Sequence, residues 1–130
     1  MKRKTLPDLS KPEYDVLRML WKHGQLSVRE LHDHLCNETE WAYTTTKTVM
    51  DRMVKKQLLA RTNIHGVFVY SALISRPLGL ARLVQYFADK VLETDYASVV
   101  SMFASNKSIS EEELAELQKL LKEQEKKEKH

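Results

Sequence analysis

The sequence predicts a mainly α fold with a small β-hairpin wing: a winged helix-turn-helix followed by a three-helix segment. Three observations predict it. Helix-opening capping boxes stand ahead of apolar residues at helical spacing, at Ser10–Glu13, Ser27–Glu30 and Ser110–Glu113. Two β-branched and aromatic arms, Leu58–Thr62 and Val67–Ser71, flank Asn63-Ile64-His65-Gly66 in a hairpin pattern. Glycine and proline number only three each in 130 residues, too few turn residues for a sandwich or barrel.

In Ser10-Lys11-Pro12-Glu13 the proline sits in the first turn of a helix. Tyr14, Leu17, Leu20 and Trp21 follow at helical spacing with Val16 beside them, and Gly24 supplies the stop. Ser27-Val28-Arg29-Glu30 opens a short second helix that buries Val28, Leu31 and Leu35. Residues 37–41 form a polar connection, and a third helix runs from about Tyr43 to Gln57. The hairpin follows, with Gln25-Leu26 as a candidate third strand. These elements define a first domain at residues 1–75 and leave residues 76–130 as a second.

The second segment starts after Ser75-Arg76-Pro77. Leu80, Val84, Phe87 and Val91 form one helical stripe, Tyr96, Val99, Val100 and Phe103 another, and Leu114, Leu117, Leu120 and Leu121 a third. Three helices in about 55 residues are too small to bury such stripes within one chain. A twofold partner is therefore expected to cover them. The expected dimerisation residues are Leu80, Val84, Phe87, Tyr96, Val99, Val100, Phe103, Leu114, Leu117 and Leu121. Residues 124–130 read as a charged, fraying tail.

The formal net charge is only +3, but it is unevenly placed: residues 1–75 carry +4 and residues 76–130 carry −1. Within Thr44–Arg61 stand five bases and one acid, Asp51. Such a concentration suits one module facing a polyanion. On the third helix Val49, Met50, Met53 and Val54 cluster on one side, and Thr46 falls with them as a core residue. Tyr43 opens the helix, and Thr44, Thr48, Asp51 and Lys55 face away, flanked by Thr45, Lys47 and Arg52. Hydroxyls in the early turns and bases in the later ones suit a DNA major groove. Threonine and Lys47 can reach base edges, and Arg52 and Lys55 suit phosphates. At the hairpin, Arg61 and His65 offer a modest wing contact, while Gly66 is explained by the turn alone.

Other constellations carry less. On a helix His32 and Cys36 share a face but His34 points elsewhere, so the His-x-His-x-Cys run brings only two ligands together. Trp21, Trp41 and the methionines read as core, and Gly-rich phosphate loops and nucleophile–base pairs are not in evidence, so no enzyme activity and no cofactor are expected. With one cysteine, Cys36, and no apolar stretch behind Met1-Lys2-Arg3-Lys4, the expected setting is the cytoplasm, without membrane insertion. Two rivals to DNA reading stay open. One is an interaction module whose basic helix meets an acidic partner protein, and the other is a regulator that binds a small effector.

Residues Leu9 to Leu17 with Leu20-Trp21 resemble the opening helix of the penicillinase and methicillin-resistance repressors and their copper-responsive relatives. Thr45 to Leu59, with Lys47-Thr48, Arg52, Lys55-Lys56 and Leu58-Leu59, resembles that family's recognition helix, and Phe68-Val69-Tyr70-Ser71 its second wing strand. Asp95 to Phe103 and Ile109 to Leu121 are similar to its dimerisation segment. The resemblance implies a homodimeric repressor on a palindromic operator. In antibiotic-sensing members it also implies an upstream membrane receptor-protease and cleavage before a Phe in the dimerisation helix. The matching bond here is Met102–Phe103, where Met102 departs from the family's usual Asn. The cysteine-rich hook of the copper-responsive members has no counterpart in residues 124–130.

Overall fold

A computed structural model describes residues 9–91, 96–104 and 109–128. The elements are α1 (Lys11–His23), α2 (Val28–Leu35), α3 (Tyr43–Lys55), β1 (Leu59–Ile64), β2 (Val67–Ala72), α4 (Arg76–Tyr86), α5 (Tyr96–Ala104) and α6 (Glu111–Glu128). A π-helical turn, Phe87–Val91, continues α4. One compact unit spans Leu9–Ser75, and the residues from Arg76 onward belong to another. The winged helix-turn-helix followed by further helices is the fold class expected from the sequence.

Both N-terminal capping boxes form. Glu13 N–H donates to Ser10 Oγ while the Glu13 carboxylate accepts from Ser10 N–H at 3.0 Å, and Ser27 and Glu30 repeat the exchange at 3.2 and 2.9 Å. Each satisfies two N–H groups that a helix start otherwise leaves open. Gly24 ends α1 at φ 81°, a left-handed conformation that glycine adopts without Cβ strain, and its N–H donates to Leu20 O. The core beneath α3 collects Leu17, Leu31, Leu35, Met50, Met53, Leu58, Leu59 and Tyr70, all essentially sealed from solvent. Each such side chain contributes about 1.5–3 kcal/mol of burial. Within the α1 stripe, Val16 is fully buried while Tyr14 and Trp21 are half-buried, and the Trp21 indole N–H donates to Ile74 O at 2.7 Å. That bond ties the residues just after β2 to α1.

Glu13 and Asp15 are buried acids. Asp15 is paired with Lys11 and Arg18, and Glu13 accepts from Lys56 Nζ at 2.6 Å. Burial pushes the Glu13 carboxyl up, but the Lys56 hydrogen bond, the Ser10 backbone N–H and the Lys56 charge together hold it below the usual carboxylate range. A folded-state pKa below the unfolded one stabilises the protein above the unfolded pKa, and that contribution fades as pH falls through the folded value. Glu13→Gln is therefore expected to cost about 1 kcal/mol at pH 7, a fall in Tm of about 4–8 °C for a domain this size. The difference should vanish in thermal melts taken below the carboxylate range.

α3 ends at Lys55, two residues short of the expected Gln57, because Gln57 takes a left-handed φ of 63° and breaks the helix. The hairpin arms run further toward the tip than expected. Ile64 pairs with Val67, leaving only His65 and Gly66 in the turn, at φ 51° and 85°. Two left-handed residues make a turn whose twist matches the strands. Asn63 Oδ1 locks it by accepting from Gly66 N–H at 2.8 Å. Leu26 bridges to Tyr70 through two backbone hydrogen bonds of 3.1 and 2.8 Å, giving the hairpin the third partner expected near Gln25-Leu26.

The second unit buries part of its stripes within the chain, contrary to the expectation that another chain must cover them all. Ala81, Val84, Ala88, Val99, Val100, Leu117 and Leu121 form one core inside the chain, with Leu80, Leu114 and Leu120 half-buried around it. Alanine at 81 and 88 lets the helices approach closely enough for a small core to close. The buried stripe of α4 runs through Ala81, Val84, Gln85 and Ala88 rather than through Phe87. Ala88 lies in the core, while Phe87 is 41% exposed beside Tyr86 at 53%. The third capping box forms in half: Glu113 N–H donates to Ser110 Oγ, but its carboxylate accepts from Arg76 Nη1 at 3.1 Å, joining the starts of α4 and α6. The side chains of Tyr96, Met102, Phe103 and residues 124–130 lie outside the described residues; α6 itself continues to Glu128, so most of the expected fraying tail is helical backbone, and the Met102–Phe103 bond falls within α5.

Candidate nucleic-acid interface

α3 presents two unlike faces. Thr46, Met50 and Met53 are buried and fix the helix on the core, whereas Tyr43, Thr44, Thr45, Lys47, Thr48, Arg52 and Lys55 are exposed. All seven residues expected to meet DNA from this helix therefore reach solvent. Thr48 already donates its hydroxyl to Thr44 O at 2.9 Å, so its spare capacity is as an acceptor. Along this row, Thr44 and Thr45 lead at the N-terminal end, and Arg52 and Lys55 close it about two to three turns later.

The link to α2 is built from aromatic and polar contacts. His32 Nδ1 lies 2.8 Å from the buried Thr46 hydroxyl, and its ring meets Tyr43 edge-on at 5.7 Å. The Arg29 guanidinium lies 4.4 Å above the Tyr43 ring, a cation–π contact that fixes a positive group beside the start of α3. Spacing along the sequence does not single out Arg29, because the stacking pairs residues fourteen apart. His34 is engaged elsewhere, stacked on His23 at 3.8 Å, and among the described residues no three His, Cys, Asp or Glu side chains group as a metal site.

The wing carries Arg61, His65 and Gly66 as exposed residues. The Arg61 guanidinium lies 4.5 Å over the Phe68 ring and 3.6 Å from Asp51 Oδ1. The helical wheel puts Asp51 on the open face of α3. It is instead half-buried, where α3 meets the wing. Its Oδ1 accepts from the Tyr70 hydroxyl at 2.9 Å, and its Oδ2 accepts from Lys47 Nζ at 2.9 Å. Burial pushes the Asp51 carboxyl up, but the Lys47 and Tyr70 hydrogen bonds and the charges of Lys47 and Arg61 hold it below the usual range. The same bond raises Lys47, and burial followed by the Asp51 hydrogen bond raises Tyr70. The Lys47–Asp51 spacing of four residues is legible on a helix. The partnership with Tyr70 is not, since it depends on the hairpin register.

The arrangement can offer a groove-sized ridge of hydroxyls and bases with an ordered arginine to one side. No described helix is long and apolar enough to cross a membrane. Residues 9–123 match the family model described as penicillinase repressor. A penicillinase repressor of Bacillus licheniformis is 28% identical over 120 residues, covering 92% of this chain and 94% of that one. Among solved structures, the DNA-binding domain of the repressor BlaI is 30% identical with a TM-score of 0.50, covering 57% of this chain and 90% of that one. The Bacillus licheniformis BlaI monomer in complex with the blaP half-operator is 28% identical with a TM-score of 0.51 and the same coverage. A match that runs through both units, on a fold whose first unit is laid out as in those proteins, settles the kinship: this chain belongs to the penicillinase repressor family, whose members repress transcription and are not enzymes.

Proposed function

We propose that the protein is a cytoplasmic, homodimeric repressor that binds a palindromic operator through α3 and blocks transcription. The observation that carries this reading is the exposed row on α3, hydroxyls first and bases after, set on a buried face that holds it rigid. Its likeness to a BlaI monomer solved in complex with a half-operator supports the choice of double-stranded DNA over an acidic protein partner. Residues 1–75 act as the DNA-binding domain and residues 76–130 as the dimerisation domain. The exposed Tyr86 and Phe87 leave apolar surface on the second unit for a twin copy to cover, while Val84, Val99, Val100, Leu117 and Leu121, half of the expected clasp, sit in the unit's own core. Each half-site interface is small, so two linked readers are needed for useful affinity. An upstream membrane sensor protease that cuts Met102–Phe103 would separate them.

The reading divides the row into two kinds of interaction. Thr45→Ala is expected to relax preference at particular operator positions, by about 1–3 kcal/mol for each base-specific interaction it removes. Arg52→Ala and Lys55→Ala are expected to weaken binding to every sequence and to flatten the salt dependence by about one unit each. Competition binding against single-base operator variants at several salt concentrations checks both. A Thr45→Ala protein that keeps the parent's base preferences, with Arg52→Ala and Lys55→Ala keeping its salt slope, contradicts the assignment.

A further inference from the structure

We propose that Asp51 is a specificity-determining residue, a positioning group that holds Lys47 for base reading and withholds its charge from phosphates. The inference rests on the DNA-binding reading above and names what sets its selectivity. Three observations carry it. Asp51 is the one acid in the basic stretch Thr44–Arg61, on the helix proposed to face DNA. Its carboxylate is anchored from behind by the hydroxyl of Tyr70, itself 1% exposed, so it is fixed to the wing rather than free to rotate with solvent. Its second oxygen holds Lys47 Nζ at 2.9 Å while the lysine side chain stays 57% exposed.

The chemistry follows from that geometry. An ammonium has three donors, and one is given to Asp51. Two remain, from a nitrogen whose position is set by a rigid acceptor instead of a flexible stem. Such a group can still donate to a guanine O6 or N7. A paired lysine gains less from a phosphate, because the pair carries no net charge and phosphate attraction is mainly Coulombic. The pairing therefore leaves the sequence-dependent hydrogen bonds in place and reduces the sequence-independent attraction. Arg61, 3.6 Å from the same carboxylate and stacked on Phe68, is held in the same way at the wing. Asp51 thus couples the two DNA-facing elements through one side chain.

The test uses the full chain with two duplexes: the one most enriched by the wild-type protein from a random pool, and a shuffled duplex of the same length and composition. Asp51→Asn keeps an acceptor for the Tyr70 hydroxyl and removes the charge. It is expected to lower the ratio of enriched to shuffled affinity about tenfold. It should also steepen the salt dependence on the shuffled duplex by about one unit, as a freed Lys47 turns to phosphate. In a Lys47→Ala background the same substitution should leave the ratio within about twofold, a dependence that a general loss of folding would not produce. Tyr70→Phe, which keeps the charge and loosens the anchor, should lower the ratio by a smaller factor without steepening the slope. An unchanged ratio in Asp51→Asn, or an equal fall with and without Lys47, overturns the proposal. A wild-type chain that enriches no duplex overturns the DNA-binding reading itself, and this inference with it.

Discussion

Residues 9–75 alone are expected to bind the operator at least about a hundredfold more weakly than the full chain. The first unit has its own capped helices and its own sealed core, so it should fold without the second. What it lacks is the partner. A linked second reader turns engagement of the second half-site into an intramolecular event, and avidity of this kind is worth about 10²–10⁴ in affinity without any new contact. Fluorescence anisotropy on an intact operator and on a single half-site separates the two effects. The fragment and the full chain should differ widely on the intact operator and little on the half-site. Equal affinity on both duplexes means that one reader suffices and the dimer is not part of recognition.

Leu117→Ala should have the largest effect on stability outside the first unit. Leu117 is fully buried in a core whose other members are mostly alanine and valine, so few neighbours can relax into the space it leaves. A buried Leu→Ala change costs about 2–5 kcal/mol, and a unit this small has little stability to lose. Hydrogen exchange is expected to show loss of protection in α4 and α6 while α1–α3 keep theirs. Operator affinity should fall toward that of residues 9–75. Retained protection in α4 and α6 would show that Leu117 is not the centre of that core.

Much of this fold is legible because its signals are local. Ser10 with Glu13, and Ser27 with Glu30, are reciprocal pairs three residues apart, and the structure forms both. The placement of Thr46 in the core follows from the helical wheel, as does the exposure of Thr44, Thr45, Lys47, Arg52 and Lys55. The departures have physical causes. Periodicity assumes a constant 3.6 residues per turn. It therefore cannot foresee the π turn at Phe87–Val91. Counting large apolar residues also hides the part played by Ala81 and Ala88, which fill positions in the core that this unit forms within one chain. Within the candidate site, the exposed row is readable but its organisation is not. The Asp51–Tyr70 bond and the Arg29–Tyr43 stack join residues nineteen and fourteen positions apart, and each depends on tertiary placement that no spacing rule encodes.

If α3 reads a two-part DNA site in the hands of a dimer, the symmetry of the protein must be written into the DNA it selects. Sequencing the duplexes that the full chain retains from a random pool shows whether it is. An inverted repeat is expected, with half-site centres about one helical turn or a multiple of it apart. A retained pool with no enriched sequence over the input, or one with a single unrepeated site, would be incompatible with a dimeric reader.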